Sequence, residues 1–306
     1  MLRYYVKRSG VEQFQKVTTP PADNVWIHGD RVTESDLDEL VDRYEMDRNI
    51  LSDVLDENEL PRIEMRKSGL YVFVRTVQHG KHGRIYTTPV LMVLKGSVLA
   101  NLSTSMADDY GLATPRMMTQ TSDTTGLLLG TFAMVINEYE ELMQRTARHI
   151  KDTGKRLRNH EVTNDDFIKF VTVEDNLNEY HMNLSSMLVV AQRLEEILRG
   201  TDDSEAIEDI LLYIRQLLVA IESHNQSIVS IRNAYSTIAN NVLNQRMKTL
   251  TMLTLLIALP NVFYGMYGMN VNLPFQNEPW LYGVIVVFTF SLIFVTYWLA
   301  KRLRLF

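Results

Sequence analysis

The chain has 306 residues, a net charge of −6 and no cysteine. That length allows one large soluble domain plus a small membrane part. The charge argues against nucleic acid as a partner, which needs a basic surface, and the missing thiols exclude disulfides and thiolate metal sites.

The mean hydropathy of −0.10 hides an asymmetry: the first 249 residues are rich in charge and the last 57 are mostly apolar. The opening stretch Met1–Arg8 holds no apolar run of signal-peptide length, so the N-terminal part is expected to stay in the cytoplasm. Arg3–Lys7, Gln13–Val17 and Val25–His28 read as short strands. Thr33 to Tyr44 reads as a helix, with Thr33 or Ser35 as its N-cap and Leu37, Leu40 and Val41 on one face. Leu70–Val77, Arg84–Leu94 and Ser97–Leu102 read as strands of a meander, with turns at residues 79–83 and at Lys95-Gly96. A helix is expected from about Thr124 to Arg158.

Glu161 to Arg199 contains neither Gly nor Pro and has helical periodicity, and residues 200–204 form a short acidic break. From there apolar residues recur at Ile207, Leu211, Ile214, Leu218, Ile221, Ile228, Ile231, Tyr235, Ile238 and Val242, a coiled-coil-like seam. This helix runs without a break signal into an apolar segment, and a continuous rod of that kind would carry a conformational change to the membrane.

Leu250–Met269 and Leu281–Ala300 are each 20 residues without a charge. At ~1.5 Å per residue each covers ~30 Å, the thickness of a bilayer core. A pair of buried core helices is the alternative. Arg246 and Lys248 precede the first span, Lys301, Arg302 and Arg304 follow the second, and Asn270 to Trp280 carries no Lys or Arg. The positive-inside rule then places both chain ends in the cytoplasm and the loop outside. The expected fold is therefore an α/β cytoplasmic domain, a mixed sheet with helices, then a very long stalk helix and two C-terminal transmembrane helices. The segments are 1–160, the α/β domain; 161–249, its long helices and stalk; 250–269, the first span; 270–280, the external loop; 281–300, the second span; and 301–306, a basic cytoplasmic tail. Two spans cannot enclose a pore alone, so a channel would require several copies.

Enzyme signals are missing: there is no Gly-x-x-x-x-Gly-Lys-Ser/Thr loop and no Gly-x-Ser-x-Gly elbow. No organic cofactor is implied. His79 and His82 sit in a glycine turn without further ligands nearby, which is too few for a metal site. The first span has a distinct face: Asn244, Met247, Thr251, Thr254, Ala258, Asn261, Gly265 and Gly268 follow at steps of three or four. Such a face fits a helix–helix contact of small residues. It also fits a pore lined by hydroxyls, amides and carbonyls, which suits Mg²⁺, an ion that gives up its water reluctantly. Asn270 would offer a ring of amide oxygens at the mouth, Gly265 and Gly268 would let carbonyls approach the axis, and Pro260 would free the carbonyl of Leu256.

A C-terminal pair of spans, the first ending in Tyr267-Gly268-Met269-Asn270, resembles the CorA family of magnesium channels. Asn244-Gln245-Arg246-Met247-Lys248 resembles the family's approach to the pore. Leu51-Ser52-Asp53-Val54-Leu55 and Leu60-Pro61-Arg62-Ile63-Glu64 resemble a segment of its cytoplasmic domain. The resemblance implies a homopentameric funnel in the cell membrane with a selectivity ring at Tyr267, Gly268, Met269 and Asn270. It implies a pore along Asn244, Met247, Leu250, Ala258 and Asn261, to which the stripe adds Thr251, Thr254 and Gly265, with passive Mg²⁺ influx and gating by cytoplasmic divalent cations; Co²⁺ and Ni²⁺ are further candidate ions. Two departures stand out. Ala258 replaces a bulky Met constriction, and Asn233 stands where many members carry a metal-sensing Asp, although its partner Asp53 is present. The adjacent family Glu is Ser52, so regulation would fall to other acids such as Asp56, Asp202, Asp203 or Asp209. A ZntB-like zinc transporter of the same fold and a non-conducting membrane-anchored scaffold or sensor are the alternatives.

Overall fold

One mixed sheet organises the first part of the computed structural model, which describes residues 1–7, 14–80, 83–104, 123–158, 164–271, 274–275 and 277–302. Its strands are β1 (Leu2–Lys7), β2 (Phe14–Val17), β3 (Val25–Asp30), β4 (Arg62–Arg66), β5 (Gly69–His79), β6 (Ile85–Lys95) and β7 (Val98–Ser103). Their order is β2-β1-β3-β7-β6-β5-β4, and β3 with β7 is the parallel pair among antiparallel ones. Gly96 turns β6 into β7 with φ of +58°, the left-handed region that glycine enters without a Cβ penalty.

Side chains alternate across each strand, so each strand feeds two cores. Tyr71, Phe73, Leu91 and Val93 face one side, where α1 (Glu34–Tyr44), α2 (Arg48–Ser52) and a 3₁₀ turn (Asp53–Leu55) bring Leu37, Leu40, Ile50, Leu51 and Val54. Val72, Val74, Val90 and Met92 face the other, where α3 (Thr124–Arg158), α4 (Asn164–Leu198) and the start of α5 (Ser204–Tyr267) bring Phe132, Tyr139, Leu177, Tyr180, Ile207 and Ile214. Coverage on both faces explains why the central strands are nearly continuous apolar runs.

The helix expected from Thr33 has Thr33 as its cap. The Thr33 backbone N–H donates to Asp36 Oδ2 at 3.0 Å, and its hydroxyl donates to the same oxygen. The expected helix from Thr124 to Arg158 is present with those bounds. The strand expected from Gln13 begins, among described residues, at Phe14, and the helix expected from Glu161 begins at Asn164; Gln13 and residues 161–163 lie outside the described residues. Two elements went unforeseen. The α2 helix has five residues, too few to show a period, and is started by the Asp47 side chain accepting from Asn49 N–H at 3.0 Å. The β4 strand alternates charged Arg62, Glu64 and Arg66 with apolar Ile63 and Met65, the pattern of an edge strand and a signal that could have found it.

The chain divides into two units, Met1–Ile231 and Arg232–Phe306. In the first, the α5 seam is buried at Ile207, Leu211, Ile214, Ile221 and Ile228. In the second, Tyr235 and Ile238 are half-buried and Val242 is exposed, so burial along the seam declines. The second unit continues α5 and adds α6 (Leu281–Arg302). The most apolar stretches of α5 and α6 are mostly exposed in this chain, unlike a pair of core helices.

Candidate functional site

The membrane half of α5 stays helical through Pro260, which cannot donate to the carbonyl of Leu256. Helical hydrogen bonding tightens at its end, where Gly268 N–H donates to Tyr264 O at 3.0 Å and Met269 N–H to Met266 O at 3.3 Å. Tyr267 is thus the last helical residue, and Gly268, Met269 and Asn270 form the turn beyond it. A Cβ on Gly268 would lie 3.2 Å from the Tyr264 carbonyl oxygen, tight enough to disturb this turn.

Two faces of α5 have different neighbours. Met252 and Pro260 are buried, with Leu256, Leu259 and Phe263 half-buried beside them. This face meets α6: the Phe263 and Phe288 rings stand edge to face with centroids 5.0 Å apart, and Thr289 on α6 is buried. The predicted pore residues Asn244, Met247, Leu250, Thr251, Thr254, Ala258, Asn261 and Gly265 are all exposed, as are Gly268, Met269 and Asn270; Tyr267 is half-buried. With 3.6 residues per turn, the centre of the small and polar stripe lies roughly 180° from the α6 contact. Intrachain packing against α6 therefore does not account for the stripe.

The stripe offers acceptors. The hydroxyls of Thr251 and Thr254 donate to the carbonyls of Met247 and Leu250, at 2.9 and 3.0 Å. Their protons are spent on the backbone, and each oxygen keeps lone pairs for the water shell of a cation. Where the stripe begins, a cavity of about 690 Å³ brings Asn244, Met247 and Thr251 together with Lys248 and Met252.

The predicted regulatory residues are held differently. Asp53 accepts from Arg62 Nη2 at 2.6 Å. Arg62 also donates through Nη1 to Glu59 and through Nε to Glu64 at 2.9 Å, and its guanidinium lies 4.4 Å from the centre of the Phe73 ring. One guanidinium thus satisfies three carboxylates, and Arg66 takes the second oxygen of Glu64 at 2.6 Å. This knot was invisible in the sequence, because it forms only when the 3₁₀ turn and β4 fold together over Phe73. Asp56 is exposed and accepts from Asn58 N–H at 2.9 Å. Asp209 is exposed, and so is Asn233, whose main-chain carbonyl accepts from the Thr237 hydroxyl at 3.0 Å. Partial burial, with Asp123 and Asp202 nearby, raises the Asp203 carboxyl above its ordinary range. Among the described residues no group of three or more His, Asp or Glu is arranged to hold a metal. His82 lies outside the described residues.

Residues 21–302 match the model of the family described as CorA-like Mg2+ transporter protein. The cobalt/magnesium transport protein CorA of Methanocaldococcus jannaschii is 23% identical over 260 residues, covering 81% of this chain and 80% of that protein. The complete structure of the CorA magnesium transporter from the same organism superposes with a TM-score of 0.85 at 18% identity, covering 99% of this chain and 98% of that one. The ZntB cytoplasmic domain from Vibrio parahaemolyticus superposes with a TM-score of 0.64 at 9% identity, covering 78% of this chain and 98% of that domain. With a mixed-sheet domain, then a long helix that is one of two helices of membrane-spanning length, this chain belongs to the CorA-like Mg2+ transporter family of membrane proteins.

Proposed function

We propose that this chain is a channel-type transporter that admits Mg²⁺ passively through a homopentameric pore lined by α5. The observation that carries the proposal is the uncharged polar stripe from Asn244 to Gly265, exposed on the face of α5 turned away from α6, with Asn270 exposed in the turn beyond it. In a ring of copies the stripe would line the axis, and the α6 contact would lie outside it. The lining has no carboxylate, so a divalent ion is held through its water shell by hydroxyl, amide and carbonyl oxygens. Tyr267, Gly268, Met269 and Asn270 form the outer mouth, with the Asn270 amide as the selecting group. No nucleotide is needed, because inward movement of a divalent ion gains ~4.6 kcal/mol per 100 mV, twice the single-charge value. The protein sits in the cell membrane with both termini in the cytoplasm.

Regulation by cytoplasmic divalent ions belongs to the same reading, at contacts between copies around Asp53, Asn233, Asp56 and Asp209. Its response should be weak, because Asn233 is neutral and Asp53 already has a cation in Arg62. Asn270→Ala should abolish Mg²⁺ uptake into liposomes; uptake equal to the parent would sink the selectivity proposal. The ZntB-like reading stays open for one reason: the ZntB cytoplasmic domain shares this fold, so the fold does not choose the ion. Competition of Zn²⁺, Co²⁺ and Ni²⁺ against Mg²⁺ in the same liposomes separates the two.

A further inference from the structure

The second unit holds a hydroxyl without an acceptor and a carbonyl without its helical donor. Thr289 of α6 is 4% exposed, and its Oγ1 has no hydrogen-bond partner among the described residues. The span threonines Thr251, Thr254 and Thr296 each donate to the carbonyl four residues back, at 2.8 to 3.0 Å. Thr296 lies two helical turns beyond Thr289 on the same face of α6, so the helix allows that bond and Thr289 does not take it. The carbonyl is that of Leu256 on α5: Pro260, four residues on, has no N–H to donate to it.

The helix pair brings these two groups together. Leu256, Leu259, Pro260 and Phe263 belong to the covered side of α5, and Ile285, Thr289 and Leu292 to that of α6. With the Phe263 ring against Phe288, an antiparallel α6 reaches back over Met252, which is 8% exposed; a parallel one would not. Counted from the Phe263 contact at ~1.5 Å per residue, Thr289 then lies within about one helical turn of Pro260 along the axis. Both groups sit well inside the apolar runs, where no water is at hand to satisfy them. A buried hydroxyl or carbonyl left unpaired is unfavourable, and here each is the other's complement.

Pro260 also sets a direction. Its ring pushes against the Leu256 carbonyl, lengthens the side of α5 that faces α6 and bows the helix convex toward α6. As the bow deepens, the carbonyl tips toward α6, and the opposite face, with Ala258 and Asn261, becomes concave. We propose that Thr289 is a positioning residue for the pore helix: its hydroxyl captures the Leu256 carbonyl in the bowed form of α5, and this bond holds Ala258 and Asn261 back from the axis in the conducting state. The inference rests on the reading of α5 as the pore helix. Thr289 meets no ion and acts through α5.

Full-length protein in liposomes carries the test, read as Mg²⁺ uptake, with the thermal midpoint in detergent alongside. Thr289→Val keeps the shape and removes the hydroxyl. Maximal uptake should then fall about three- to tenfold, the worth of one buried hydrogen bond, with the half-saturating Mg²⁺ concentration unchanged. The midpoint should not fall, because the hydroxyl is unpaired in the structure. Thr289→Ser retains the hydroxyl and should keep uptake within about twofold of the parent. In the Pro260→Ala background, where the Leu256 carbonyl regains a helical donor, Thr289→Val should have no further effect. Parent-like uptake in Thr289→Val, uptake in Thr289→Ser as slow as in Thr289→Val, a lowered midpoint, or an equal loss in the Pro260→Ala background each overturns the proposal. If Pro260→Ala carries no uptake, the comparison of Thr289→Ser with Thr289→Val decides. A parent that takes up no divalent cation removes the channel reading and this role with it, whereas a conducting parent indifferent to Thr289→Val removes the role alone.

Discussion

The β5 strand and the α6 helix are both apolar runs, and their side chains have opposite fates. Tyr71, Val72, Phe73 and Val74 of β5 are 0% exposed, whereas Val287, Phe290 and Phe294 of α6 are 69%, 70% and 68% exposed. Burying one such side chain is worth ~1.5–3 kcal/mol. In β5 that gain comes from the protein, which covers both faces of the sheet with helices. In α6 the chain covers only the face turned to α5, so beyond that face the same driving force must be met from outside the chain. Apolar content alone does not separate a core from a membrane span; the presence of intrachain partners does.

The largest test of this contrast is a matched pair of truncations. Phe73→Ala should lower the stability of the first unit by about 3–5 kcal/mol in urea unfolding, since the ring fills a closed core and supports the Arg62 guanidinium. Phe290→Ala should change detergent-solubilised stability by less than about 0.5 kcal/mol. Comparable losses from both would mean that α6 is a packed core after all.

Next in size is a pH effect confined to the sheet unit. The Thr76 hydroxyl donates to Glu138 Oε2 at 2.6 Å, on a carboxylate between α3 and β5. Burial pushes the Glu138 carboxyl from 4.5 up to about 7, opposed by the Thr76 hydrogen bond and aided by Glu141. Within that window the folded chain keeps a proton that the unfolded chain has released, so stability falls as pH rises. The loss is complete above pH 7 and amounts to at most roughly 3 kcal/mol. Glu138→Gln should flatten the stability profile and leave the variant more stable than the parent at pH 8. A parent profile that is already flat from pH 5 to pH 8 would refute the assignment.

Smaller again is the intrachain contact of the second unit. Phe263→Ala removes the edge-to-face pair with Phe288 and should cost about 0.5–1.5 kcal/mol beyond lost burial, measured as helix-pair dissociation or detergent stability. Asn233→Asp should have the smallest effect. It adds one exposed charge and should lower the Mg²⁺ concentration that protects the full-length protein from proteolysis by about threefold. An unmoved midpoint would remove Asn233 from the regulatory set.

Much of the molecule was legible before folding because its signals are local. The charge-free runs, the Gly- and Pro-free helices and the β-branched strands each declare themselves within one element. The Arg62 knot was not legible: Asp53 and Arg62 are nine positions apart in a segment with no period, and their 2.6 Å contact exists only when the 3₁₀ turn closes on β4. The parallel pairing of β3 with β7 was equally hidden, since α1, α2 and three strands intervene between Asp30 and Val98.

Sequence by itself determined that residues 250–269 and 281–300 are long and apolar enough to cross a bilayer, and that one face of the first carries Asn, Thr, Ala and Gly in helical register. Periodicity assigns residues to faces but does not say what each face meets. Only the tertiary structure decided that Met252, Leu256 and Phe263 turn to α6 and leave the polar stripe exposed. The physical reason is that large apolar side chains bring more contact area to a helix pair than Asn, Thr and Gly do, so the polar stripe is left on the uncovered side, flanked by exposed Leu253, Leu255, Ile257 and Val262.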